Sequence, residues 1–310
     1  MRVLIADEMH LSLLPMLQEE GLLFDYQPLI SRKEILDVIN NYEGLIIRSK
    51  TKVDVEFLDA ATNLKFIARA GAGLDLIDIE ETQRRNIEIF AANEGNRVAV
   101  AEHVIGMLLC LLNNIRIADA QVRQGVWLRE ENRGYELMGK TVAIIGYGNN
   151  GMATAERLKG FGCKVLAFDK FKSGFSDEFA AESSMEQVFE EADIVTLHIP
   201  LTDETHKMVN ESYFSRFKKN IYFINAARGE IVELADLAKC IESGKVRGAC
   251  LDVLENEKLN KLTTEQKTTF DYLSKSDRVI LTPHIAGWTH ESYFRINEVM
   301  LQKIRQFLLK

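Results

Sequence analysis

The stretch from Lys140 to Asp169 constrains this chain more than any other. Lys140-Thr141-Val142-Ala143-Ile144-Ile145 reads as a strand and runs directly into Gly146-Tyr147-Gly148-Asn149-Asn150-Gly151. A helical pattern, Met152–Lys159, follows, and a second strand, Lys164–Phe168, ends at Asp169, 23 residues beyond Gly146. A lone GxGxxG is a weak signal; strand, glycine turn, helix, strand and acid in this order predict a dinucleotide-binding βαβ unit. Each part has a physical reason. Gly146 permits the tight turn, Gly148 lets backbone approach a pyrophosphate, and Gly151 allows close helix–strand packing. Asn149 and Asn150 keep their N–H groups at a helix N-terminus, where donors and partial positive charge meet an anion. Asp169 is placed to accept hydrogen bonds from the adenosine ribose and to repel a 2′-phosphate, which favours NAD. Lys170 beside it leaves NADP open.

The same alternation extends along the chain. Apolar runs at Arg2–Ala6, Leu45–Arg48, Phe66–Ala70, Ile194–His198, Tyr222–Asn225 and Val279–Thr282 read as further strands. Several are continuously hydrophobic, as strands covered on both faces are. Helical patterns such as Arg32–Asn40 and Met152–Phe161 lie between strands, so an α/β fold with doubly wound parallel sheets is expected. One unit runs from Met1 to about Asn93 and a second from about Gly139 to His284. Val98–Ile115 is a long helix, apolar around most of its circumference, which must be buried in a domain or against another subunit. A final helix, Glu291–Leu309, is expected to return to a domain already formed. The length of 310 residues agrees with two domains.

Charge and composition exclude several classes. With 38 basic against 46 acidic side chains, the net charge of −8 argues against a protein that coats nucleic acid or an anionic membrane. The longest apolar run, Val104–Leu112, is far shorter than the ~20 residues of a membrane span, and the N-terminus lacks the long apolar core of a signal peptide. Cys110, Cys163, Cys240 and Cys250 show no CxxC or metal-ligand spacing, so no metal is expected. The chain is expected to be cytoplasmic, without nucleic-acid or membrane partners.

Three more segments of the second unit follow apolar strands: Phe223–Gly229 with Arg228, Gly248–Glu257 with Asp252, Glu255 and Glu257, and Leu281–Gly287 with His284. In an open parallel sheet, ligands bind at that edge. An arginine fork holds a carboxylate and polarises a carbonyl in a fixed plane. A histidine with an ordinary pKa of roughly 6.5 suits proton exchange with an alcohol, and a neighbouring carboxylate favours its imidazolium form. Together these suit reversible hydride transfer between a nicotinamide and a 2-hydroxy or 2-oxo acid, the hydride chemistry being the cofactor's.

These segments, with Arg48-Ser49, Ala70-Gly71-Ala72-Gly73-Leu74-Asp75 and Leu197–Thr202, occur in the order found in the D-isomer-specific 2-hydroxyacid dehydrogenases. The chain resembles that family, and most of all its phosphoglycerate dehydrogenase branch. The resemblance implies two Rossmann-like domains, a flavodoxin-like substrate domain (1–95 with 288–310) and an NAD-binding domain (96–287), with the active site in the cleft. It implies His284 as general acid/base, Glu257 as its partner, and Arg228 on the substrate carboxylate and carbonyl. The backbone of Ala72 and Gly73 would receive the carboxylate. Ile199, Pro200 and Thr205 would line the adenosine side, and Asp252 would meet the nicotinamide amide. Ala226, Ala227, Arg228, His284 and Gly287 would complete the cofactor site.

A further implication is a homodimer built on the helix at 98–115; Arg48, Lys50, Arg129 and Arg133 are the candidates for a phosphate clamp, with Arg48 favoured by the Arg-Ser of the phosphoglycerate branch and Arg129 reaching across from a partner subunit. Glu255 competes with Glu257, and the 29-residue spacing from Arg228 favours Glu257. Asn150 stands where the family often has a branched apolar residue, and Lys258 where a proline commonly stands. The polar segment Lys258–Lys275 has no evident place. With nothing after the final helix, the regulatory extension of some phosphoglycerate dehydrogenases is not expected. The favoured reaction is oxidation of 3-phospho-D-glycerate to 3-phosphohydroxypyruvate. Reduction of glyoxylate or hydroxypyruvate is the alternative enzyme, and an NAD-sensing corepressor-like binding protein the alternative from another class.

Overall fold

The computed structural model describes residues 1–309. These form two compact units, Met1–Arg97 with the segment from Trp288, and Val98–Gly287. In the first, β1 (Arg2–Ile5), α1 (Leu13–Glu19), β2 (Leu23–Tyr26), α2 (Arg32–Val38), β3 (Gly44–Ile47), α3 (Val55–Ala60), β4 (Phe66–Arg69), α4 (Ile79–Arg84) and β5 (Glu88–Ala91) alternate along the chain. The five strands pair in the order β2-β1-β3-β4-β5, all parallel. That is the flavodoxin-like order, whose connections reverse direction between β1 and β3. Leu4, Leu45, Ile47 and Ile67 face one core, and Val3, Ile5, Ile46 and Phe66 face the other. A strand's period of two therefore divides each apolar run between two helical layers.

The second unit contains α5 (Arg97–Leu112), which begins at the boundary, α6 (Ile115–Arg123), β6 (Thr141–Ile145), α7 (Asn149–Leu158), β7 (Lys164–Phe168), β8 (Ala181–Glu182) and α8 (Met185–Glu191). It continues with β9 (Ile194–Leu197), α9 (Glu211–Ser215), β10 (Ile221–Asn225), α10 (Leu234–Glu242), β11 (Val246–Leu251), α11 (Thr264–Lys275) and β12 (Val279–Leu281). Its seven strands run β12-β11-β10-β9-β6-β7-β8, the doubly wound order with its switch point between β6 and β9. The chain ends with α12 (His290–Leu308), whose Met300 and Ile304 lie in the first unit's core.

Three features differ from the sequence reading. The long helix stops at Leu112, and Asn114 adopts φ +53° where the chain bends by 61° into α6. No single helix among the described residues is long and apolar enough to cross a membrane. The apolar circumference of α5 is used within its own unit, where Val104, Leu108 and Leu111 pack against Val142, Ile144 and Ile224. Lys258–Lys275 contains α11, the crossover from β11 to β12. Its cap is reciprocal, with Thr263 accepting from the Gln266 N–H and Gln266 accepting from the Thr263 N–H. Only Leu273 is fully buried along it, and so sparse an apolar face gave little periodic signal.

Candidate active site

At the switch point of the second sheet, the glycine turn is formed as its residue types require. Gly146 adopts φ +97°, and a Cβ there would stand 2.6 Å from the His198 carbonyl oxygen. A Cβ on Gly151 would stand 2.1 Å from the Gly146 oxygen, so α7 closes on β6 only because that atom is missing. Around Gly148 the space is open. Gly146 and Gly148 border a largely apolar cavity of about 890 Å³, walled by Phe168, Asp169, Ile199, Pro200 and Thr205.

The polar groups of this wall are held from behind. Asp169 accepts from the Tyr147 N–H at 2.9 Å and the Phe171 N–H at 3.0 Å. Thr205 donates to the Pro200 oxygen at 2.8 Å. Lys170 pairs with Glu204, so the cation beside Asp169 already has a carboxylate partner. Asn150 keeps its side-chain oxygen buried without a partner, the cost of an amide where an apolar side chain would pack. His198 borders the cavity with its imidazole 3.1 Å from the Thr196 hydroxyl, and burial pushes its pKa down to about 4.

A histidine–carboxylate pair lies at the carboxyl edge of the same sheet. His284 Nδ1 stands 2.9 Å from Glu257 Oε1, and both side chains are about half exposed, at 48% and 49%. The competitor Glu255 faces Lys207 instead, at 3.4 Å. His284 adopts φ +56°, a conformation that a non-glycine residue holds only when its surroundings impose it. Asp252 imposes it. Its carboxylate accepts from the Thr282 hydroxyl at 2.6 Å and from the N–H groups of Ile285 at 2.9 Å and Ala286 at 2.8 Å. Its own carbonyl accepts from the His284 N–H at 2.7 Å. Burial opposes its ionisation, but hydrogen bonds from His103, Thr282 and those two N–H groups outweigh burial and hold it below the usual aspartate range. Asp252, expected at the nicotinamide, is thus the buckle of the His284 loop.

Arg228 leaves the end of β10 on a turn locked by Asn225, which accepts from the Ala227 N–H at 3.0 Å and donates to the Arg228 carbonyl at 2.9 Å. Arg228 Nη1 donates to the Ala227 oxygen at 2.7 Å. Gly229 must be glycine, since a Cβ would stand 1.9 Å from the Leu254 oxygen. Asn225 and His103 were missed as site residues because each works through a neighbour. Ala226 and Gly287 are partly exposed at this edge, and Arg129 is exposed after α6.

In the first unit, the β1–β3 switch point carries Asp7 and Arg48. Asp7 is 2% exposed and accepts from the N–H groups of Arg48 at 2.7 Å and Lys50 at 2.9 Å, and from the Thr51 hydroxyl at 2.6 Å. Lys50 Nζ donates to the carbonyls of Pro28 and Ile30, which takes it out of any phosphate clamp. After β4, Gly71 turns the chain at φ +142° into Ala72 and Gly73, which are partly exposed. Among the described residues, no group of three or more histidine, cysteine, aspartate or glutamate side chains is arranged to hold a metal ion.

Residues 105–286 match the model of the D-isomer specific 2-hydroxyacid dehydrogenase NAD-binding domain. The chain is 36% identical over 306 residues to the D-3-phosphoglycerate dehydrogenase of Archaeoglobus fulgidus, covering 98% of this chain and 56% of that one. It spans about half the length of the phosphoglycerate dehydrogenases it matches. It is also 34% identical over 275 residues to the hydroxypyruvate reductase of Thermotoga maritima, covering 89% of this chain and 88% of that one. A D-lactate dehydrogenase from Aquifex aeolicus, solved with NAD and lactic acid, superimposes with a TM-score of 0.86 at 29% identity, covering 99% of this chain and 95% of that one.

Proposed function

This chain belongs to the D-isomer specific 2-hydroxyacid dehydrogenases, with residues 105–286 their NAD-binding domain, and on that premise we propose that it oxidises 3-phospho-D-glycerate to 3-phosphohydroxypyruvate, the entry to serine synthesis. The observation that carries a dehydrogenase reading is the His284–Glu257 pair at 2.9 Å, at the carboxyl edge of the sheet that also carries the glycine turn. The residues fit the dinucleotide: Gly148 leaves space where a pyrophosphate would approach, and the cavity behind it is apolar with Asp169 on its wall. Gly146, Gly148, Asn149, Asn150 and Gly151 would hold the pyrophosphate; Asp169, Ile199, Pro200 and Thr205 would hold the adenosine. Ala226, Ala227, Asp252 and Gly287 would frame the nicotinamide. Bound there, NAD supplies the hydride acceptor.

The chain's own groups manage the proton and the substrate. With Nδ1 turned to Glu257, His284 offers Nε2 to the substrate hydroxyl, takes its proton during oxidation and returns it during reduction. Glu257, 2.9 Å from Nδ1, keeps the ring turned so that Nε2 faces the substrate. Arg228 would hold the carboxylate and carbonyl in one plane, and the N–H groups of Ala72 and Gly73 would receive the same carboxylate. Arg48 would take the phosphate, joined by Arg129 of a second copy in a homodimer. Four cysteines without a disulfide agree with a cytoplasmic enzyme.

Hydroxypyruvate or glyoxylate reduction is the second reading, favoured by the Thermotoga maritima match, which covers 88% of that reductase. NADH absorbance with NAD and 3-phospho-D-glycerate, the oxo acid being trapped, separates the two. The expected result is turnover that His284→Ala lowers by about 10²–10⁴-fold with NAD affinity retained. A wild-type protein that binds NAD, ignores phosphoglycerate and consumes NADH with hydroxypyruvate reverses the choice.

A further inference from the structure

Arg48 sits in surroundings that its position after β3 does not require. Its guanidinium carbon lies 3.7 Å from the Trp288 ring centroid and 4.6 Å from that of Tyr293. The two rings are themselves 5.2 Å apart with planes 33° from parallel. Rings on opposite faces would be separated by nearly the sum of the first two distances. They therefore border the guanidinium from neighbouring directions, a corner of two rings rather than a sandwich. Nη1 donates to the Tyr293 hydroxyl at 2.6 Å, which occupies one end of the fork.

The corner is rigid. Its backbone side is fixed where the Arg48 N–H meets Asp7. Its aromatic side begins α12 under a reciprocal cap, in which Thr289 accepts from the Ser292 N–H at 3.0 Å and Ser292 accepts from the Thr289 N–H at 2.9 Å. His10 packs edge-on against Tyr293 at 5.4 Å, and Asn297 donates to the His10 carbonyl at 3.1 Å.

The charge at the centre of this corner is under-compensated. Among the described residues, no carboxylate lies within ion-pair distance of the half-buried Arg48 guanidinium. Asp7 is spent on two N–H groups and a hydroxyl. Burial pushes the Arg48 pKa down, against the milder pull of Tyr293, Glu8 and Asp7. A desolvated cation with unused donors is costly unless an anion completes it. Trp288, meanwhile, remains 56% exposed, with its stacking on Arg48 as its evident task.

We infer that Trp288 and Tyr293 are positioning residues that hold Arg48 so that its open Nε–Nη2 edge takes an oxyanion of the substrate in bidentate fashion, which selects 2-hydroxy acids with a second anionic group. The inference rests on the reading that Arg48 meets the end of the substrate remote from its carboxylate. An arginine fork gives direction as well as charge only if its plane is fixed. An aromatic face fixes that plane without competing for its donors. The carboxylate itself goes to Ala72 and Gly73, after the neighbouring strand β4, so Arg48 is left for the other end.

The test compares 3-phospho-D-glycerate with D-glycerate, the same acid without its phosphate. For Trp288→Leu, the KM for the phosphorylated acid rises about tenfold, the scale of a partly desolvated cation–π contact. Its kcat, the KM for NAD and the KM for D-glycerate stay unchanged, and Trp288→Phe recovers most of the loss. Tyr293→Phe, which removes only the hydroxyl, gives a smaller rise of the same kind. An equal rise for both acids would mean a merely structural role and overturns the inference. So does an unchanged KM in Trp288→Leu when Arg48→Ala raises it, which leaves the reading of Arg48 standing. If Arg48→Ala leaves phosphoglycerate binding to the NAD-loaded protein unchanged by calorimetry, or if the wild type does not bind it, that reading fails and the inference with it.

Discussion

At the residue scale, His198 shows how a fold decides what a titratable side chain is worth. In the sequence, His198 closes the apolar run Ile194–His198, which says nothing of its charge. Placed at the end of β9 and desolvated, it is neutral, with its pKa pushed down to about 4 from 6.5. The unfolded chain therefore binds a proton between those values that the folded chain does not, and stability falls as pH falls through that window. Between pH 7 and pH 4.5, this group alone removes about 2–3 kcal/mol. Denaturant unfolding at the two pH values should show a smaller loss for His198→Asn than for the wild type by that amount. Equal losses would place the acid sensitivity elsewhere.

At the scale of the element, the turn between β6 and α7 separates two jobs that the same residue type performs. Gly151 is needed by the protein itself, since its Cβ would meet backbone at 2.1 Å, whereas a Cβ on Gly148 would meet nothing within 4 Å. Gly151→Ala should therefore lower the unfolding free energy by about 1–3 kcal/mol, the usual cost of overpacking. Gly148→Ala should unfold at the wild-type temperature yet bind NAD at least about tenfold more weakly, because its methyl group would stand where the pyrophosphate approaches. Thermal unfolding and NAD titration of the two variants check this. Loss of stability in Gly148→Ala would contradict the assignment. The glycine turn and the close packing at Gly151 were legible from spacing alone, because a strand–turn–helix junction leaves few alternatives. By contrast, β2, β5 and β8 lack a continuous apolar run. β2 and β5 carry polar residues at Asp25 and Glu88, while β8 is the two residues Ala181–Glu182.

At the scale of the whole molecule, α5 has fewer exposed apolar side chains to offer the proposed dimer seam than the stretch after it. Its apolar residues are spent inside the second unit, while the exposed apolar side chains cluster beyond it. Ile115 is 53% exposed, Val122 51% and Trp127 80%. A run of that kind on α6 and the stretch after it is what a subunit contact uses. Sedimentation should therefore find a dimer for the wild type and a monomer for Trp127→Glu, with Arg129-dependent affinity for phosphoglycerate lost in the monomer. A variant that remains dimeric would shift the interface to another face.

Sequence alone determined the α/β class, the glycine turn and its acid, and the order of the segments that carry Glu257 and His284. These depend on order and spacing along the chain, which tertiary contacts do not alter. Glu257 was preferred to Glu255 on spacing, and the 2.9 Å contact with His284 agrees. Tertiary structure alone decided which charges were available: Lys170 goes to Glu204, Lys50 to two carbonyls, and Asp252 to the loop that carries His284. It also brought Trp288 and Tyr293 to Arg48 across some 240 residues of chain. A side chain's partners depend on which strands become neighbours, and pairing between distant segments leaves no local pattern to read.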